Sequence, residues 1–305
     1  MVSRALGALH QIDRAVTTSP EPLPNIEFSF VVSDIPDSEH QHRTSWSLTR
    51  LAIDEEMWFM PDFGFWSWPL DLVGSYEQIR AEMRANEVVW EKKVPKALWR
   101  GAVKTNKVRN SLVRASQGKS WADVHEVKWK NRTDVAVGSA VLSMADHCNH
   151  QFLIHTEGRS YSGRGKYLLN CESITIIHKS EWIEPYQTLL VPSGPHQNFV
   201  QVERDFSDLG SKIQQLLQDP EQAKSIAHNS ASTFRDRYLT PSAQVCYWRQ
   251  LIRSWAEVSF RPKPWVLVGG KKQLRGIPFE TFVVQALHKG HVPCSVWKTF
   301  TLQCR

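Results

Sequence analysis

Residues 156–173 read TEGRSYSGRGKYLLNCES and follow directly on the apolar run QFLI at 151–154. The stretch holds three glycines, three serines and two arginines, and returns to an apolar segment at KYLLNC. A solvated surface loop accounts for such a composition, and so does an anion cradle between a strand and a helix. The order of strand, basic glycine-rich loop and helix favours the cradle. In an open α/β sheet, ligands dock at the carboxyl ends of the strands, where helix N-termini direct their free N–H groups outward. Arg159 and Arg164 supply charge-assisted donors with a bidentate fork, and glycine lets the backbone approach a ligand closely. The pattern is neither G-x-G-x-x-G nor a P-loop, so the loop alone leaves both readings open.

The flanking segments set the fold class. QFLIHT (151–156), SITIIH (173–178), FSFVVSD (28–34), ALWRG (97–101) and DVHEVKW (123–129) read as strands. SYEQIRAEMRAN (75–86), VRNSLVRASQ (108–117) and YLLNC (167–171) read as helical. Such alternation predicts parallel α/β layers. Three more helices are expected over 207–219, 220–238 and 240–260, with Ser207 and Thr240 as N-caps of the first and third. Pro241 falls in the first turn of the third, where its missing N–H is harmless. Residues 261–305 have weak periodicity and clustered Pro and Gly, and read as a tail.

Composition narrows the function. A chain of 305 residues with 41% hydrophobic content predicts two domains. Its net charge of +6 comes from interspersed residues and not from a block, which fits an enzyme with an anionic substrate better than a nucleic-acid arm. No basic stripe or RNA-binding signature occurs, so no nucleic-acid partner is expected. No window approaches the roughly 18 apolar residues of a membrane helix, and the N-terminal MVSRALGALHQIDRAV lacks the apolar region of a signal peptide. The cysteines are Cys148, Cys171, Cys246, Cys294 and Cys304, with no C-x-x-C. His147, Cys148 and His150 are close in DHCNH, but with no second ligand pair they read as packing or solvated positions.

Two further constellations stand out. In LWRGAVKTNKVRNSLV (98–113), Trp99-Arg100-Gly101 ends a strand and Arg109 falls in the first turn of the next helix, so a second strand-to-helix junction also offers arginine. In WFMPDFGFWSWP (58–69), six aromatic rings are broken up by Gly and Pro into a loop. Amphipathic rings on a loop suit the faces of sugars or a peptide, and they equally suit a small core beneath the loop.

In collinear order over roughly residues 25–285, these segments resemble glycosyltransferase family 90, which includes fungal capsule-associated glycosyltransferases and protein O-glucosyltransferases. VSDIP (32–36) is similar to the family's strand followed by Asp and Pro, which implies that Asp34 is the catalytic base. FWSWP (65–69) resembles the Phe-Trp element, implying acceptor contacts from Phe65 and Trp66 and a donor contact from Ser67. WRG with KTNKVRNSL resembles the block whose downstream arginine is Arg109 here. The stretch from DHCNH to NCES resembles the donor-binding core, implying donor contacts from Arg159, Ser160, Tyr161, Ser162, Gly163 and Arg164. RGIPFETF (275–282) resembles an element of fungal members. A departure is Ala102, where animal members carry serine.

The resemblance implies an α/β fold of the GT-B type, with two Rossmann-like domains facing across a cleft and the first incomplete. The expected organisation is a partial acceptor-side domain over 1–90, a UDP-sugar domain over 91–239, a C-terminal helix over 240–260 and an extension over 261–305. The short acceptor side implies an N-terminally truncated member. The implied activity is inverting, metal-independent transfer of xylose or glucose from a UDP-sugar to a hydroxyl of a glycan or protein. No cofactor or metal is expected, and the chain has no D-x-D. The alternative is a non-catalytic relative that binds UDP-sugar or glycan, and the separating feature is whether Asp34 faces the donor loop. Family membership implies the lumen of the endoplasmic reticulum or Golgi. There, Cys148 before the QFLIHT strand and Cys171 at the end of the helix after the loop can approach within the roughly 4.4–6.8 Å between Cα atoms that a disulfide needs.

Overall fold

The computed structural model describes residues 2–36, 45–68, 73–127 and 141–289. Lys128 and Trp129 of the predicted strand, Pro69 of the aromatic stretch, and Cys294 and Cys304 lie outside the described residues.

The chain opens with helix α1 (Val2–Thr17) and passes through strands β1 (Ser29–Val31), β2 (Ser45–Ser47), β3 (Arg50–Leu51) and β4 (Trp58–Phe59). After a 3₁₀ turn at Phe63–Phe65 come β5 (Ser67–Trp68), β6 (Gly74–Ser75) and helix α2 (Tyr76–Asn86). The second half alternates β7 (Val94–Gly101), α3 (Lys107–Ser116), β8 (Ala122–Glu126), α4 (Met144–His147), β9 (His150–His155), α5 (Gly165–Leu168) and β10 (Ile174–His178). Strands β11 (Trp182–Ile183) and β12 (Val200–Val202) lead to helices α6 (Leu209–Gln218), α7 (Pro220–Thr233) and α8 (Pro241–Val258). A hairpin of β13 (Trp265–Val268) and β14 (Lys271–Leu274) precedes α9 (Phe279–Lys289).

Five of these strands form one parallel sheet in the order β12-β10-β9-β7-β8. Its side chains alternate as strand geometry requires. Ala97, Trp99, Phe152, Ile154, Ile174 and Ile176 pack on one face beneath α3, α6 and α7. Leu98 and Leu153 point the other way, into a cluster with Tyr76, Ile79 and Met83 of α2 and Tyr167 and Leu168 of α5. Both faces are covered, which is why the run Phe152-Leu153-Ile154 is continuously apolar and not alternating. This is a Rossmann-type α/β layer, and it carries the carboxyl ends of β7, β9 and β10 to the same edge.

A second, smaller parallel sheet has the order β1-β2-β4. Its centre is Trp46, fully buried, stacked on Phe28 at 3.8 Å and edge-on to Trp255 of α8 at 5.6 Å. Helix α8 therefore returns to pack on the N-terminal half, beside α1. Helix α1 was not legible in the sequence because its buried face is Ala5, Ala8, Gln11 and Ala15, small or polar residues that carry little hydrophobic signal. Gln11 is held there by donating to the Asp62 carbonyl at 3.0 Å and the Gly7 carbonyl at 3.3 Å and by accepting from Trp248 Nε1 at 3.2 Å.

Two expectations need correction. Helix α6 begins after Asp208 and not after Ser207, and the Asp208 carboxylate turns back to accept from the Glu203 backbone N–H instead of capping the helix. The predicted helix over 220–238 is present as α7, capped by Asp219, and continues through a π turn at Phe234–Tyr238. The extension after residue 260 is not featureless. Its hairpin is exposed, but α9 sets Phe279 edge-on to His10 at 5.3 Å and buries Phe282. Thr240 caps α8 as expected, accepting from the Ala243 N–H at 3.1 Å.

Cys148 and Cys171 are joined in a disulfide, with Cα atoms 4.9 Å apart and a sequence separation of 23. The bond ties the chain just before β9 to the turn after α5. Closing a loop of this length restricts the unfolded chain by an amount worth about 3 kcal/mol.

Candidate active site

Strand β9 ends at His155 and releases the chain into the glycine-rich loop, whose first residues are pinned to the sheet. Thr156 accepts from Trp99 Nε1 at 3.1 Å. The buried Glu157 carboxylate accepts from the backbone N–H groups of Glu181 and Trp182 at 2.7 and 2.9 Å and pairs with Arg204 at 2.8 Å. Asn106 does two things at once. Its side chain caps α3 through the Val108 N–H at 3.0 Å and donates to the Gly158 carbonyl at 2.8 Å.

The loop's glycines serve packing within the protein more than approach to a ligand. A Cβ on Gly163 would stand 2.5 Å from the Trp68 ring, and one on Gly165 would collide with the Tyr186 hydroxyl. Helix α5 is four residues long, shorter than the sequence implied, so its dipole contributes little. Positive charge at this edge comes from side chains instead.

Those side chains are Arg100, Arg109 and Arg164. Arg100 pairs with Asp123 at 2.8 Å. Arg109 gives two nitrogens to the carbonyls of Glu157 and Ala102, at 2.8 and 3.0 Å. Arg164 donates to the Arg100 carbonyl. Burial lowers both Arg109 and Arg164 to about 10, and for Arg164 the nearby cations Arg109 and Arg100 add to the effect. Among the described residues neither arginine pairs with a carboxylate. Partly desolvated like charges of this kind are relieved by an anion, which favours the cradle over the plain loop.

The loop is joined to the aromatic stretch by a buried ion pair. Lys166 is wholly buried, and its ammonium donates at 2.7 Å to both Asp62 Oδ1 and the Gly163 carbonyl. Phe65, Trp68 and Tyr167 surround it with ring centroids 5.2–5.4 Å away. Asp62 also accepts from the Gly64 N–H at 2.6 Å and from the Tyr161 hydroxyl. Burial and the Asp62 carboxylate hold the Tyr161 phenol well above its usual range, so it remains a donor.

The sequence-predicted residues are distributed as follows. Asp34 lies against the loop, because the fully buried Ser160 donates its hydroxyl to the Asp34 carbonyl. The Asp34 carboxylate pairs with Arg4 at 2.6 Å. Ser162 and Arg164 are half-buried and Arg159 is exposed. Ser67 on β5 turns its hydroxyl toward the Trp68 carbonyl. Phe65 is buried edge-on to Tyr76, so its ring serves the core and not an open surface. Trp66 stacks on His10 at 4.8 Å, with Arg14 over it. Tyr161 and Ser160 spend their hydroxyls on Asp62 and Asp34. In DHCNH, Cys148 is in the disulfide and His147 is buried with Nδ1 2.7 Å from the Ser143 carbonyl. Burial, then Arg164, lower the His147 imidazole to about 4.

Sequence reading missed Arg4, Asp62, Asn106 and Lys166. A signal for the ion pair existed: Asp62 is the one carboxylate among six rings, and Lys166 stands alone before Tyr-Leu-Leu.

Fold and site together define an α/β protein with a cluster of buried arginines at the carboxyl ends of its parallel strands. The family model of glycosyl transferase family 90 matches residues 3–269, and the chain belongs to that family. It is 25% identical to an O-glucosyltransferase rumi homolog of Anopheles gambiae, over 77% of this chain and 62% of that protein. It is 29% identical to protein O-glucosyltransferase 2 of Danio rerio, over 57% of this chain and 35% of that one. With the O-glucosyltransferase rumi of Drosophila pseudoobscura pseudoobscura, identity is 26% over 61% of this chain and 47% of that one. The chain thus spans less than two thirds of the length of each.

Two predictions follow from the buried charges. Lys166→Met leaves the Asp62 charge uncompensated and should destabilise the fold by about 3–5 kcal/mol in urea denaturation, whereas Lys166→Met with Asp62→Leu should recover much of that loss. A single variant as stable as the parent would show that the pair contributes nothing.

Glu184 is buried with Tyr186 donating to it at 2.7 Å, and burial raises its carboxyl from 4.5 to about 8. The folded state therefore holds a proton that the unfolded chain releases, so stability falls as pH rises between those values and levels off above them. Glu184→Gln should flatten this dependence by up to about 1.4 kcal/mol per pH unit. Parallel stability curves for parent and variant between pH 5 and 8 would contradict it.

Proposed function

We propose that this chain is an inverting, metal-independent glycosyltransferase that moves glucose or xylose from a UDP-sugar to a hydroxyl of a glycan or protein acceptor. The observation that carries the reading is the hydrogen bond from Ser160 to the Asp34 carbonyl, which brings a carboxylate against an arginine-lined loop at the strand ends. The similarity to O-glucosyltransferases supports the donor class.

In this reading Asp34 takes the proton of the acceptor hydroxyl as its oxygen bonds to the anomeric carbon. The bond from that carbon to the diphosphate oxygen breaks, and UDP leaves with the electron pair. One base and direct attack from the opposite face invert the anomeric centre. Arg164 and Arg109 balance the charge that gathers on the diphosphate, the work done elsewhere by fixed cations and backbone donors. Ser162, Ser67 and the exposed Arg159 serve the donor side, while Trp66 serves the acceptor. Residues 1–90 and 91–239 then act as acceptor and donor sides of a GT-B cleft. The Cys148–Cys171 bond supports residence in an oxidising compartment such as the lumen of the endoplasmic reticulum or Golgi. No helix among the described residues is long and apolar enough to cross a membrane.

The test contrasts two variants of the purified chain. Asp34→Asn should slow turnover of UDP-glucose or UDP-xylose by about two orders of magnitude or more, with UDP affinity nearly unchanged. Arg164→Ala should weaken UDP binding by about 1.5–3 kcal/mol in calorimetric titration. Normal turnover by Asp34→Asn would remove it as the base, because asparagine replaces a turn-forming aspartate readily but cannot take the proton.

A further inference from the structure

Asp34 follows a strand that ends at Val31, on irregular backbone, and its side chain is 40% exposed. A carboxylate in such a place samples several rotamers unless something holds it. Arg4, in the first turn of α1, does so through one nitrogen: Nη1 donates to Asp34 Oδ1 at 2.6 Å and to the Val32 carbonyl at 3.1 Å. Its guanidinium lies over the Phe63 ring at 4.9 Å, which fixes the plane of the fork. Phe63 is next to Asp62, the carboxylate that ties the aromatic stretch to the donor loop.

Resting on the reading of Asp34 as the base, we infer that Arg4 is its positioning residue: it occupies Oδ1 and leaves Oδ2 to meet the acceptor hydroxyl. Two observations separate this from an ordinary ion pair. The Val32 bond binds Arg4 to the same strand end that carries Asp34, so the two side chains are tied through the backbone as well as to each other. The Asp34 backbone is independently held by Ser160 of the donor loop. Arg4 thus fixes the carboxylate's direction, and Ser160 fixes its distance from the donor. A pair this exposed adds little to stability, so its consequence lies in orientation.

The experiment uses the full chain with UDP-glucose and UDP-xylose as donors and water as the acceptor, following UDP release, together with UDP titration calorimetry. Arg4→Gln should lower kcat about 10- to 100-fold, the scale of a misdirected catalytic group, with donor KM and UDP affinity within about twofold of the parent. Arg4→Lys should restore most of that loss, since both bonds come from one nitrogen and an ammonium has donors for both. Arg4→Gln combined with Asp34→Asn should be no slower than Asp34→Asn alone. Parent-like kcat in Arg4→Gln beside a crippled Asp34→Asn would overturn the assignment. So would a fall in UDP affinity that matches the loss of rate, or an Arg4→Lys as slow as Arg4→Gln. Normal turnover by Asp34→Asn, or none by the parent chain on either donor, would instead overturn the reading of the base on which the assignment rests.

Discussion

The buried pair of Lys166 and Asp62 is the contact on which the arrangement of the site depends. It bridges 104 positions of sequence, from the aromatic stretch to the turn after the glycine-rich loop. Two charges removed from water are tolerated only when geometry and extra hydrogen bonds are good. Here Asp62 accepts from Lys166, Tyr161 and the Gly64 backbone, and Lys166 also donates to Gly163. Three aromatic rings enclose the ammonium. Any slip of the loop against the aromatic stretch would strand a charge in an apolar setting, so the pair fixes register where hydrophobic packing alone would permit sliding.

That fixed register lets the remaining parts of the site act together. Ser160, four residues after a pinned Thr156, reaches the Asp34 carbonyl, and Arg164 reaches the carbonyl of Arg100. The loop thereby touches the end of β7, the N-terminus of α3 through Asn106, and the strand end that carries Asp34. Arg109 and Arg164 stay partly desolvated with their positive charge unmatched by a carboxylate among the described residues. A rigid cationic edge of this kind stabilises charge on a bound or leaving anion without reorganising, since the desolvation was already incurred in folding.

Helices α1 and α8 complete the N-terminal half. The small sheet of β1, β2 and β4 is too slight to stand alone. Trp46, Trp248 and Trp255 form its core with α8, while α1 lies alongside and contributes Gln11 and Arg4. Helix α8, late in the chain, therefore supports its first part.

Local sequence was sufficient for the parallel α/β layer. Runs such as QFLIHT and SITIIH, and the cap at Thr240, depend on contacts within a few residues or on burial of both sheet faces. The same locality made the arginines at two strand-to-helix junctions visible as an anion edge, and the cysteines around the loop visible as a pair. What tertiary structure alone decided was which polar groups are spent on one another. Ser160 and Tyr161 look like ligand donors in sequence, yet their hydroxyls go to Asp34 and Asp62, and Phe65 looks like an exposed ring but is core. Arg4 and Lys166 look like surface cations, yet one pairs with Asp34 and the other is buried. The partners in these pairs lie 30 to 126 residues apart. Propensity and periodicity report only a residue's nearest neighbours along the chain, so such contacts exist only once the two halves have closed on each other.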